Sequence, residues 1–197
     1  MRVCATFTLL ALLVGCGEKA GQPETDTTST AASASETSTM ADNSTAPAGT
    51  VSDVPPADKE FSAKAGGANL AEIQMGQLAL QNASRADVKA YAQRMVTDHT
   101  AAGNKLEAIA TAKGLALPTE ISGDAKAGYE HLSSLSGEEF DKAYIGHMVE
   151  DHQKAESLFS TEATNGGDPD LKGFAAETLP TIQEHLRLAR ALSSRSP

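Results

Sequence analysis

The sequence has no tryptophan, and its aromatic residues make up only 4% of 197 positions. So few rings favour alanine-rich helices over a sandwich or a barrel. Cysteine is confined to Cys4 and Cys16, so nothing downstream can close a disulfide or supply a thiolate ligand. Basic residues are scarce as well. With 16 Lys+Arg against 26 Asp+Glu the formal net charge is −10, which repels phosphate and argues against nucleic acid as a partner. Also missing is a membrane-crossing run: the longest apolar stretch is residues 3–14, whereas a hydrocarbon layer of ~30 Å needs about 20 residues of helix. A Ser-His-Asp order, a phosphate-cradling loop and paired acids with room for substrate are absent, which argues against nuclease and protease activity.

What is present begins with an address. Residues 1–15 read as a signal peptide, with Arg2 ahead of the apolar run. That run ends in Leu13-Val14-Gly15-Cys16, which resembles a bacterial lipobox: an aliphatic residue three places before the cysteine, a small one just before it. The resemblance implies cleavage before Cys16 and lipidation of its thiol, with more than one acyl chain giving stable anchorage to a membrane. Gly17, where an Asp would retain a lipoprotein at the inner membrane, implies delivery to the outer membrane, with the domain in the periplasm or at the cell surface. The plainer alternative is an ordinary signal peptide with a coincidental cysteine. Residues 17–56 contain no Leu, Ile, Phe or Tyr and carry six acids against the single base Lys19. They cannot bury enough apolar area to offset their ordering entropy, so residues 16–56 read as a lipidated cysteine followed by a disordered tether.

From residue 57 to 197 the apolar pattern takes the helical period. Four long helices are expected. The first spans about 58–82; the second has Ser84 as N-cap and ends at Lys113-Gly114. The third opens on a capping box at Ser136 and Glu139 and ends near Gly166. The fourth is capped by Asp168 with Pro169 in its first turn. A short helix is expected between Ser122 and Gly137. Tight connections make the first and last pairs antiparallel hairpins. The long central connection is just enough to retrace a helix of ~45 Å, so the second and third long helices are expected to run parallel. The fold class is therefore all-α: a ferritin-like four-helix bundle with a long crossover, behind a tether.

Each long helix places one ionisable side chain on its core line. At about 100° per residue, His99 sits amid Val88, Ala92, Met95 and Leu106, His152 amid Ile145, Met148 and Phe159, His185 amid Phe174, Leu188 and Leu192, and Glu72 amid Phe61, Ala65, Met75 and Ala79. Counting from caps and hairpins sets the three histidines at similar depth and Glu72 about one turn off. Buried imidazoles must satisfy one another, hold water or bind an ion. Three neutral imidazoles and a carboxylate form a ligand set suited to one divalent transition metal, Zn, Cu, Ni or Fe. Asp98, Asp151 and Glu184 each precede a core histidine at the stripe edge, placed to accept a proton from a neighbouring helix's imidazole and fix its tautomer. His131 and His147 fall on outer or boundary faces, Glu156, one turn after His152, leans inward as a candidate extra ligand with a rim carboxylate the plainer reading, and Met75, Met95 and Met148 read as gap-fillers.

The second and third long helices repeat one another at an offset of 53 residues: Lys89-Ala90-Tyr91 with Met95-Val96-Thr97-Asp98-His99, then Lys142-Ala143-Tyr144 with Met148-Val149-Glu150-Asp151-His152. Together with Ala71-Glu72-Ile73-Gln74-Met75-Gly76-Gln77-Leu78-Ala79 and Leu179-Pro180…His185-Leu186, these motifs resemble a bacterial family. It is a domain of unknown function, labelled "predicted outer membrane protein" and assigned to the ferritin-like superfamily. The resemblance spans about residues 57–192 and implies the bundle and an envelope location, but no activity. Di-iron members of that superfamily use paired Glu-x-x-His motifs. None of His99, His152 and His185 has a Glu three residues before it, so a mononuclear site is expected instead. Two readings follow: an outer-membrane-anchored lipoprotein binding one metal ion in its core, or a non-enzymatic envelope-maintenance or stress lipoprotein whose core histidines are structural.

Overall fold

The computed structural model describes residues 53–195. The signal peptide, Cys16 and nearly all of the tether lie outside them. The described residues form five helices and no strand: α1 Pro56–Asn82, α2 Ala86–Lys113, α3 Gly123–Ser133, α4 Gly137–Asn165 and α5 Pro169–Ser193. No helix among them is long and apolar enough to cross a membrane.

Local chemistry sets several of the boundaries. Asp168 caps α5 as its position suggests, its Oδ1 accepting from the backbone N–H of Asp170 and Leu171 at 3.1 Å each. Gly114 closes α2 at φ 65°, a left-handed turn that glycine enters without a Cβ penalty. Two expected caps are not made. The Ser136 side chain makes no capping bond to α4, and α2 starts after Arg85 rather than after Ser84. The N-terminus of α2 is capped from another helix instead. Asp141 on α4, 2% exposed, accepts the backbone N–H of Ser84 at 3.1 Å and of Arg85 at 3.0 Å, and also the Ser84 hydroxyl. A carboxylate taking three donors at a helix N-terminus outcompetes a single hydroxyl cap.

The core is two apolar clusters. One holds Met75, Ala79, Val88, Tyr91, Met95, Leu132, Phe140, Tyr144, Met148 and Ala189; the other holds Val54, Phe61, Leu106, Phe159, Phe174 and Ile182. The scarce aromatic residues are spent here. Phe61, Phe159 and Phe174 meet with ring centroids 5.1–6.4 Å apart, within the range of favourable edge contacts. Val54, assigned from composition to the tether, is only 2% exposed and packs into this second cluster.

The order in which each helix visits the clusters gives its direction. Helices α1 and α5 pass from the phenylalanine cluster to the methionine–tyrosine cluster, whereas α2 and α4 run the other way. The hairpin partners are therefore antiparallel and α2 runs parallel to α4, with α3 carried on the crossover and anchored by Leu132. Helix α1 packs on α2 and α4, and α5 on α2 and α4, which leaves α2 facing α4 diagonally across the core. At Gly76 the α1–α2 approach is so close that an added Cβ would lie 2.8 Å from a Val96 methyl carbon.

Candidate metal centre

Between the two clusters lies a polar layer made of Glu72 from α1, His99 from α2, His152 from α4 and His185 from α5. They are 3%, 9%, 0% and 1% exposed. The imidazoles come together at one depth, with ring centroids 5.4–5.7 Å apart. One nitrogen of each ring lies within 4.8 Å of a nitrogen of both others.

The outer nitrogens fix the protons. Nδ1 of His152 lies 3.0 Å from the Met148 carbonyl one turn back, and Nε2 of His185 lies 2.8 Å from Oδ2 of Asp98. Nδ1 of His99 is 3.2 Å from Oδ1 of Asn69 and 3.1 Å from Oε2 of Glu72. Each of these nitrogens faces an oxygen acceptor and so carries the proton in the neutral ring. That leaves a lone pair on the second nitrogen of each. Nε2 of His152 and Nδ1 of His185 then face one another at 3.4 Å with no proton to share, and Nε2 of His99 is shielded from solvent without a hydrogen-bond partner among the described residues.

Burial keeps all three rings neutral. It holds His99 far below its ordinary value, helped by the other two imidazoles, and brings His152 down to about 4 with His185 as the second cause. His185 is lowered too, burial outweighing the opposing effect of Asp98. The Glu72 carboxyl is pushed up to about 8, chiefly by burial and then by the charge of Asp151.

Glu72 is closer to the rings than its helical depth suggested, but its oxygens meet the outer nitrogens. Besides the His99 contact, Oε1 lies 3.4 Å from Nδ1 of His152. Of the three acids expected beside the rings, only Asp98 touches one. Asp151 lies 2.9 Å from Nε2 of His147 on its own helix, and Glu184 pairs with Arg187 at 2.7 Å and with Arg94 at 3.6 Å. Glu156 accepts from Gln183 at 3.1 Å, and His131 is exposed. Sequence reasoning missed Asn69. Its signal was weak: a polar residue one turn before Glu72, opposite Gly103, where a Cβ would stand 2.6 Å from the Asn69 amide nitrogen.

The 53-residue repeat also acquires a cause. Helices α2 and α4 are the diagonal pair, and the apolar and histidine positions of the repeat take matching places: Tyr91 and Tyr144 touch edge to face at 6.3 Å, Met95 and Met148 are both fully buried, and His99 and His152 enter the same layer.

A family model for a domain of unknown function, DUF4142, matches residues 25–192. The chain belongs to this family. Among curated proteins nothing matches the sequence. Solved structures do resemble it in fold. A DUF305 fragment from Deinococcus radiodurans is 16% identical with a TM-score of 0.65, covering 72% of this chain and 98% of its own. A putative secreted DUF305 protein from Streptomyces coelicolor is 14% identical with a TM-score of 0.62, covering 71% and 93%. CopM in its Cu(I)-bound form is 16% identical with a TM-score of 0.59, covering 70% and 95%; that protein has also been solved with silver bound.

Proposed function

We propose that this protein is an envelope lipoprotein whose helical domain binds one transition-metal ion, copper by preference, through His99, His152 and His185. The observation that carries the reading is the placement of the ring nitrogens. Three neutral imidazoles have their outer nitrogens committed to oxygen acceptors and their inner nitrogens turned toward one another. Facing lone pairs in a buried layer repel, and a cation between them converts that repulsion into coordination. Asp98, the Met148 carbonyl and Asn69 then hold the rings in their ligating tautomers, a role such outer partners commonly fill. Glu72 supplies a carboxyl that can release its proton when a divalent ion arrives, lowering the buried charge.

Copper is favoured by two arguments. It binds a given nitrogen site more tightly than the other first-row divalent ions, and the similarly folded CopM has been solved with Cu(I), Cu(II) and Ag. Bound there, the metal would be withheld from solvent, which suits storage or buffering. The order of helix directions supports a four-helix bundle of ferritin-like connectivity, and the lipobox at Cys16 supports an outer-membrane anchor with the domain reaching away on its tether.

Elemental analysis of the purified full-length chain after loading with copper or zinc tests the metal reading. One ion per chain is expected, lost in His152→Ala and in the His99→Ala/His152→Ala double variant with helical content retained. Absence of stoichiometric metal, with those substitutions only lowering the melting temperature, would leave the histidines structural and the protein acting through its surface. Fatty-acid labelling abolished by Cys16→Ala tests the anchor.

A further inference from the structure

Immediately beside the polar layer, on the side of the phenylalanine cluster, lies a small cavity of about 30 Å³. Its walls include the polar Asn69, Glu72, His99 and Thr178 and the apolar Ala102, Ala155, Phe159 and Ile182. On the opposite side of the layer Met75, Met95 and Met148 are all 0% exposed and belong to the methionine–tyrosine cluster. Three ring nitrogens leave a four-coordinate ion one position short, which distinguishes an open centre from a closed structural one. In the wall of the void, His99 carries the nitrogen that lacks a hydrogen-bond partner among the described residues.

We infer that the centre keeps its remaining position for one small exogenous neutral molecule, lodged in this cavity. The inference rests on the metal-binding reading and adds the class of ligand. Size and lining both select it. The volume holds a single small molecule, against walls that mix Asn69, Glu72, His99 and Thr178 with alanine, phenylalanine and isoleucine. A bulky ligand would exceed the volume, and a charged one would lose hydration against the apolar part of the wall. A small neutral molecule fits, beside Ala102 and Ala155.

Carbon monoxide is a suitable probe because it binds Cu(I) and reports through its own stretching vibration. The full-length chain is loaded with Cu(I) without oxygen, copper is counted by elemental analysis, and CO is titrated by infrared spectroscopy. One CO per copper is expected. Ala102→Val and Ala155→Val fill the cavity from different helices; each is expected to keep one copper and to weaken CO by about tenfold or more. Two such variants guard against one failing to fold. Copper bound without a CO band overturns this inference and leaves the metal centre standing, as does CO affinity unchanged in both filled variants. Failure to bind copper at all overturns the metal reading, and the open position with it.

Discussion

The seam between α2 and α5 and the seam between α1 and α4 are built from similar residues to opposite effect. Along the first, acids meet cations or, in the layer, an imidazole N–H. Arg94 lies 3.6 Å from Glu184, Asp98 2.8 Å from His185, Lys105 pairs with Glu177, and Lys113 lies 2.7 Å from both Asp168 and Asp170. Along the second, Glu72 meets the His152 ring at 3.4 Å, but elsewhere acids face acids. Asp151 raises the carboxyl of Glu72, and Asp58 raises that of Glu162. The tyrosines follow suit: the Tyr91 hydroxyl reaches the His185 carbonyl at 3.4 Å, while that of its counterpart Tyr144 has no partner among the described residues. One corner of the layer explains the split. Asp98 has a histidine across its seam, but Asp151 has Glu72, so it turns back to His147 on its own helix. The layer consequently holds three imidazoles and one protonated acid, and the α1–α4 seam gives up pairing to keep them.

The largest effect is expected where that acid is neutralised. Burial holds the Glu72 proton up to about 8, whereas the unfolded chain releases it near 4.5. Folding therefore takes up a proton between those values. The native state loses stability as pH climbs from about 4.5 to about 8, and no more above that. Glu72→Gln removes this titration. In the metal-free protein its stability should match the parent at pH 4 and exceed it by about 2–4 kcal/mol at pH 8. Urea unfolding at the two pH values measures the gap. A gap that does not widen would mean that Glu72 is ionised in the folded state.

Next in size is a direct comparison of the two seams. Asp98→Asn weakens the acceptor that fixes the His185 tautomer, and a loss of 10–100-fold in metal affinity is expected, about 1.4–2.7 kcal/mol. Asp151→Asn, its counterpart in the repeat, touches no ring of the layer and should change affinity by no more than about twofold. Competition against a chelator of known affinity measures both. Equal losses would mean that the two aspartates act through general charge rather than through contact.

Much of this was legible in the sequence. The helical period, the stop at Gly114, the cap at Asp168 and the four core-line positions all depend on neighbours within one or two turns, and local pattern reports such neighbours well. What escaped was set by residues distant in sequence. Ser84 resembles an N-cap until Asp141, 57 residues on, offers a stronger acceptor to the same turn. Asp98 and Asp151 stand in the same local motif, and only the residue across the seam decides which one meets an imidazole. Depth counting set Glu72 a turn away because it treats helices as level straight rods, whereas a Glu side chain has several bonds with which to reach the rings. Asn69 was passed over because nothing near it in sequence marks it as a partner of His99.

The smallest expected effect lies at the far end of the acidic seam. Glu162 is 5% exposed, its Oε1 is buried without a hydrogen-bond partner among the described residues, and burial together with Asp58 and Asp168 pushes its carboxyl above the ordinary range. A raised folded value means that its contribution is present at low pH and fades as pH rises through that value. Glu162→Gln puts an amide donor where carboxylates crowd, and should stabilise the protein by about 1 kcal/mol near pH 7.5, a gain that vanishes near pH 4, where the parent side chain is neutral as well. The matched control is Glu177→Gln on the other seam, whose side chain is 67% exposed beside Lys105. Solvent screens that pair, so its removal should stay within about 0.5 kcal/mol at either pH. Denaturant midpoints for both variants at both pH values complete the test. If Glu162→Gln behaves like Glu177→Gln, the acids of the α1–α4 seam are solvated and the contrast between the seams is confined to the layer.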